Sequence, residues 1–247
     1  MSNDILLVWS SACKTHPGKV RKINEDACLD LPELGLWAVA DGMGGHEAGD
    51  VASQLIVERL RNIREPTDIH GFIAEVKTCL TEVNRQLREM ASQHYHERTI
   101  GSTIVAMAAF GNQCAFIWVG DSRIYRLRNG KLERLTKDHS MIEDYIDQGL
   151  LSPEGAEASE IANVLTRAVG AEDELDVDCK IATLCGDDVY LLCSDGLYRE
   201  ITDEQITQGM AMDNCTDSAR QVLELALENK ARDNITAAVI QIKNAFA

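Results

Sequence analysis

The sequence predicts an α+β fold in which antiparallel sheets pack on each other and helices cover the outside. Three observations carry that expectation. Strand-like apolar runs fill the start, the middle and the end of the chain, and helical patterns lie between them in pairs. That order suits stacked antiparallel sheets, not an alternating βαβ array. The middle runs are joined by tight-turn signals, Gly111-Asn112 and Arg128-Asn129-Gly130, as in hairpins. The 247 residues are 45% hydrophobic, with only 4 prolines and no Ser/Gly-rich or Pro-rich linker. One domain over 1–247 is therefore expected.

Residues 5–13 read as the first strand. A charged loop over 16–26 follows and ends in adjacent carboxylates, Glu25 and Asp26. Residues 27–31 and 34–40 are the second and third strands. After Gly42, Gly44 and Gly45, residues 47–64 have helical spacing, with Val51, Leu55, Ile56 and Leu60 on one face, and Pro66 ends the pattern. Residues 69–90 form a second amphipathic helix with Phe72, Val76, Leu80, Val83 and Leu87 inward. Strands are expected at 104–110, 113–119 and 124–127, and a short helix at 141–149. Residues 150–163 are acidic, rich in small side chains and weakly periodic, which reads as a mobile surface excursion. Residues 175–183 and 189–193 are strand candidates on either side of a turn at Gly186-Asp187-Asp188. Helices are expected at 203–210 and 217–229, and a final strand at 235–242.

A formal net charge of -16 argues against nucleic acid, whose phosphates need Lys and Arg, and against an anionic membrane surface. No segment is long enough for a membrane span. The apolar run at 5–9 is too short and wrongly flanked for a signal peptide. Of the 8 cysteines, Cys28, Cys114 and Cys193 sit in apolar runs and read as small hydrophobes, not as a disulfide framework. No C-x-x-C pair suggests zinc. A reducing cytoplasm fits these features best.

Four aspartates share one description. Asp41 ends an apolar run, Asp121 lies in the turn after one, Asp195 ends one, and Asp233 begins one. If those strands share a core, the carboxylates can converge at one rim. Converging carboxylates repel, and cations between them relieve the repulsion. Hard oxygen donors suit Mg²⁺ or Mn²⁺, and Gly42 could add its carbonyl. Two ions about 4 Å apart form a known hydrolytic centre that acidifies a bridging water. An Arg beside it would grip phosphate in bidentate fashion, and Arg21, four residues before Glu25, is the best candidate.

These residues together resemble a known family. Arg21 with Asn24-Glu25-Asp26, Val39 to His46, Gly101-Ser102-Thr103, Gly120 to Arg123, Lys137 to Ser140, Leu165 to Gly170, Ser194-Asp195-Gly196 and Asp233 to Thr236 stand in the order seen in metal-dependent Ser/Thr protein phosphatases of type 2C (the PPM family), in their bacterial branch. The likeness runs from about residue 15 to 242. It implies a four-layer α-β-β-α sandwich with a binuclear site at one end. By position, Asp41 would bridge two Mn²⁺ or Mg²⁺ ions, Gly42 would give its carbonyl to one, and Asp195 and Asp233 would complete the other. Asp121 with Asp195 would hold a third, weaker ion. Glu25 and Asp26 would act through bound water, Arg21 would bind substrate phosphate, and Asn234 would orient Asp233 or a metal water. A flap would lie near 141–163.

The implied reaction is hydrolysis of phosphoserine and phosphothreonine on proteins, by direct attack of a metal-bridging hydroxide. The implied partners are phosphorylated proteins, a bacterial Ser/Thr kinase and its targets, in a signalling pathway. Met43 stands where the animal-type pattern has a His assigned as general acid, so that role is unassigned. His46 and His139 read as structural, and His70, His94 and His96 as solvated. Arg123 and Arg167 read as partners of structural carboxylates, and Ser102 and Ser194 lack the His-Asp arrangement of a nucleophile. Two rival readings are a non-catalytic phosphoprotein-binding member, disfavoured by the retained aspartates, and a nucleotide-binding module, disfavoured by the lack of a G-x-x-x-x-G-K-[ST] motif.

Overall fold

A computed structural model describes residues 6–44, 48–94, 99–152 and 164–245. His46, His96 and residues 153–163 of the expected flap lie outside the described residues. Two antiparallel sheets face each other, with helices on both outer faces. The first sheet has the order β1 (Leu7–His16), β11 (Ile235–Asn244), β10 (Val189–Cys193), β7 (Arg123–Arg128), β8 (Lys131–Arg134). The second runs β2 (Asp26–Leu31), β3 (Leu36–Met43), β5 (Ile104–Phe110), β6 (Gln113–Val119), β9 (Asp178–Thr183), and the short β4 (Gly101–Ser102) pairs with β3.

Side-chain alternation builds three apolar layers. In β5, Val105, Met107 and Ala109 point between the sheets, beside Trp37 and Phe116 of their own sheet and Tyr190, Leu192 and Ile240 of the other. Ile104, Ala106 and Ala108 point the other way, onto α1 (Gly49–Arg61) and α2 (Ile69–His94). On the opposite face, Leu191, Cys193, Ala237 and Val239 meet α4 (Asp195–Tyr198), α5 (Asp203–Met210) and α6 (Cys215–Glu228). The remaining helix, α3 (Met141–Asp147), starts at Ser140, whose hydroxyl accepts from the Glu143 N–H. Thr202 and Gln205 form a capping box at the start of α5.

The structure departs from the sequence expectation, or fills in stretches it left unassigned, in four places. The third strand does not stop before Asp41; it runs to Met43, because Gly42 and Met43 find new partners in Ser102 and Gly101. Residues 131–134, unassigned from sequence, return from the Asn129-Gly130 turn as β8. Residues 164–169 make only isolated bridges, Ser140 to Leu165 and Ser102 to Val169. Cys28 is not a free thiol. It is bonded to Cys13, on the facing sheet, while the other six cysteines are free. Contact between sheets is invisible in a linear pattern, so placement in an apolar run misreads Cys28. Among the described residues no helix is long and apolar enough to cross a membrane.

Candidate metal centre

The register of β2 on β3 sets Asp26 directly opposite Asp41. Like charges in that position destabilise a strand pair, so something must offset them. The backbone of Asp41 is fixed from both sides. Its N–H donates to Thr103 Oγ1 at 3.2 Å, and its carbonyl accepts from the Thr103 N–H and the Ser102 hydroxyl, each at 2.9 Å. Asp195 opens α4 straight after β10, Asp233 precedes β11, and Asp121 lies on the link from β6 to β7. Asp41, Asp121, Asp195 and Asp233 line one cleft of about 410 Å³, together with Arg21, Glu25, Gly42, Met43, Arg199 and Asn234. The convergence expected of the four aspartates is what the fold delivers.

The electrostatics follow from that convergence. Burial pushes the Asp41 carboxyl far above the ordinary aspartate range, and Asp26, Asp195, Asp121 and Asp233 push it further. Asp26 is pushed up to about 7 by burial, although Thr236 and Ser194 donate hydroxyls to its Oδ2 at 2.6 and 2.8 Å. Its buried Oδ1 has no hydrogen-bond partner. Burial and Asp195 push Asp121 up to about 7. Burial raises Asp195 as well, opposed by Arg199.

A set of mutually repelling carboxylates, one with an orphaned oxygen, fits hard divalent cations. Among the described residues no three His, Cys, Asp or Glu side chains already stand around one ion-sized point; the carboxylates meet at a cleft and not at a point. Two arginines also hold them. Arg21 donates to Asp233 Oδ2 at 2.8 Å, and Arg199 stands 3.0 Å from Asp121 Oδ2 and 3.2 Å from Asp195 Oδ2. Hydrogen bonding to Asp233 raises the Arg21 pKa further.

Close backbone approach explains the Gly at 42. A Cβ there would fall 2.0 Å from the Gly49 carbonyl oxygen, so any side chain would push α1 off the sheet. The Gly42 N–H donates to the Glu25 carbonyl at 3.1 Å. Gly49 in turn leaves room for the Glu25 carboxylate, whose Oε1 would lie 2.5 Å from a Cβ. Asn234 ties the loop that carries Arg21. Its Oδ1 accepts from the Glu25 N–H at 2.8 Å, and its Nδ2 donates to the carbonyls of Pro17 and Ile23 at 3.1 and 3.0 Å. Its side chain therefore serves the loop, while its backbone N–H donates to Asp233 Oδ1 at 2.9 Å.

Other polar candidates are committed elsewhere. Arg123 forks onto Asp138 and lies 3.6 Å over the Tyr198 ring. Arg167 pairs with Asp176 and Asp178. His139 accepts the Gly120 N–H at Nδ1 and faces Asp178 through Nε2, and burial lowers its pKa. Sequence reasoning quoted Thr103 within a motif but gave it no role, and did not single out Tyr198 or Arg199. Only Arg199 had a usable signal: it stands four residues after Asp195, one helical turn on.

Comparison with known proteins finds relatives of nearly the whole chain. A family model described as Protein phosphatase 2C matches residues 18–238. The serine/threonine protein phosphatase PstP of Mycobacterium tuberculosis is 32% identical over 238 residues, covering 96% of this chain and 46% of that protein. This chain thus spans about half the length of that relative. The serine/threonine phosphatase stp of Listeria welshimeri is 32% identical over 236 residues, covering 92% of this chain and 94% of that one. Among solved structures, PppA, described as a key regulatory component of T6SS in Pseudomonas aeruginosa, superposes with a TM-score of 0.89 at 40% identity, covering 96% of this chain and 99% of that one. The catalytic domain of PstP in complex with 2 manganese ions superposes with a TM-score of 0.86 at 32% identity, covering 96% of this chain and 99% of that one.

Proposed function

We infer the reaction from one premise: this chain belongs to the protein phosphatase 2C family. It hydrolyses phosphoserine and phosphothreonine on proteins, without a covalent phosphoenzyme. Its partners are a bacterial Ser/Thr kinase and the phosphoproteins that kinase makes, in the cytoplasm. The observation that carries this reading is the cleft itself, where Asp41, Asp121, Asp195 and Asp233 meet Arg21.

When bound, two Mn²⁺ or Mg²⁺ ions supply what no side chain here can: water acidic enough to attack phosphorus directly, and positive charge inside an acidic protein. Asp41 would hold both ions, Gly42 would give its carbonyl to one, and Asp195 and Asp233 would hold the other. Glu25, which lines the cleft, and Asp26, buried opposite Asp41, would act through ordered water. Arg21 grips the equatorial phosphate oxygens, whose charge spreads in the transition state. A guanidinium carries five N–H donors, and Asp233 takes up one of its nitrogens, so Arg21 can serve both. The Asn234 bonds hold its loop at that distance from Asp233.

The test is release of phosphate from a phosphothreonine peptide, with and without Mn²⁺. Turnover should need the metal, and Asp41→Asn should abolish it at any Mn²⁺ level. Turnover by the variant within a few-fold of the wild type would overturn the assignment. Tight ATP binding with no hydrolysis of the peptide would favour a nucleotide-binding module instead.

A further inference from the structure

We propose that Arg199 is a built-in cation of this centre, standing between Asp121 and Asp195 where a third divalent ion would otherwise be held, so that the chain takes up two ions and not three. This deepens the phosphatase reading and rests on it. One guanidinium nitrogen of Arg199 lies 3.0 Å from Asp121 Oδ2 and 3.2 Å from Asp195 Oδ2, so a single donor bridges the two carboxylates. The side chains of Asp121 and Asp195 are only 8% and 18% exposed, so solvent screens the contact weakly.

The bridge is held from behind. Helix α4 is a single turn, and Arg199 follows it, which brings the residue back over Asp195. The neighbouring Tyr198 hydroxyl donates to the Asp121 carbonyl at 3.0 Å. Arg123 stacks on the Tyr198 ring and is clamped by Asp138. Residues 198 and 199 therefore grip Asp121 by its backbone and its carboxylate together. A divalent ion on the same two oxygens would face a guanidinium at contact distance, and the two exclude each other. Arg199 reaches one oxygen of Asp195, which leaves that residue a second oxygen for the two-ion centre.

Ion counting tests this on the whole chain. Mn²⁺ bound per chain is measured by equilibrium dialysis and elemental analysis, from micromolar to millimolar Mn²⁺. The wild type and Arg199→Lys should bind two. Arg199→Gln should gain a third, with affinity at least about tenfold tighter than any third site of the wild type. Adding Asp121→Asn to Arg199→Gln should remove that gain. A third ion on the wild type at low millimolar Mn²⁺, or no gain in Arg199→Gln, overturns the proposal. If Arg199→Gln does not fold, Asp121→Asn alone decides, since it leaves the wild-type count unchanged when Arg199 is the cation and lowers it by one when Asp121 holds an ion. A wild type that binds two ions without the expected response of these variants sinks this inference alone. A chain that binds no Mn²⁺ sinks the phosphatase reading with it.

Discussion

Replacing Asn234 by Asp probes how the Arg21 loop is held, with almost no change of shape. Asn234 is 5% exposed, and its side chain makes three hydrogen bonds, to the Glu25 N–H and to the carbonyls of Pro17 and Ile23. An Asp keeps the first. It turns the other two into oxygens facing oxygens. Two lost bonds to these accessible carbonyls cost about 1 kcal/mol each. The sum is about 2 kcal/mol, and for a domain of this size each kcal/mol moves the Tm by roughly 2–4 °C. A melt followed by circular dichroism should therefore fall by about 6 °C. Amide exchange over residues 17–25 should speed up in parallel, and KM for a phosphopeptide should rise. Asn234→Ala, which adds no charge beside Asp233, should show most of the same loss. A Tm within about 2 °C of the wild type, with exchange in that loop unchanged, would refute the role given to Asn234.

Arg21→Ala should raise KM for a phosphopeptide by roughly tenfold or more, the value of a charge-assisted contact; an unchanged KM removes Arg21 from the phosphate. Gly49→Ala sets a Cβ 2.8 Å from the Gly42 carbonyl carbon, and should cost about 1–3 kcal/mol in urea unfolding, whereas an unmoved midpoint would show that α1 can slide. In chelator, pH should govern stability. Asp26 and Asp121 have folded-state pKa values of about 7, above the ordinary 3.8. Each then contributes stability that is full below the unfolded value and is lost as pH rises through 7. Between pH 6 and 8 the chelated protein should lose about 1.4 kcal/mol per group, and excess Mn²⁺ should flatten the slope. A flat profile in chelator would contradict the burial of these carboxylates.

The extents of β5, β6 and β10 were legible because turn residues bracket each apolar run. Their faces were not: a strand buried on both sides, such as β5 with Val105 and Ile104 in different layers, shows no alternation of hydropathy. Asp41, Asp121, Asp195 and Asp233 could be found as carboxylates beside strand ends. Asp26 could be found only as a neighbour of Glu25, because its place opposite Asp41 depends on strand register. The continuation of β3 through Gly42 depends on β4, about sixty residues away, and no local turn rule anticipates it. The Cys13–Cys28 bond and the Arg199 bridge likewise join segments that only the packed sandwich brings together.

Asp26 and Asp41 belong to one sheet, Asp195 and Asp233 adjoin strands of the other, and Asp121 sits on the strand-to-strand link between them. Whatever positive charge is lodged there acts as a rivet driven through both plates of the sandwich. Shearing one plate over the other would tear the rivet out, so cation uptake and resistance to sliding are a single property, measured two ways.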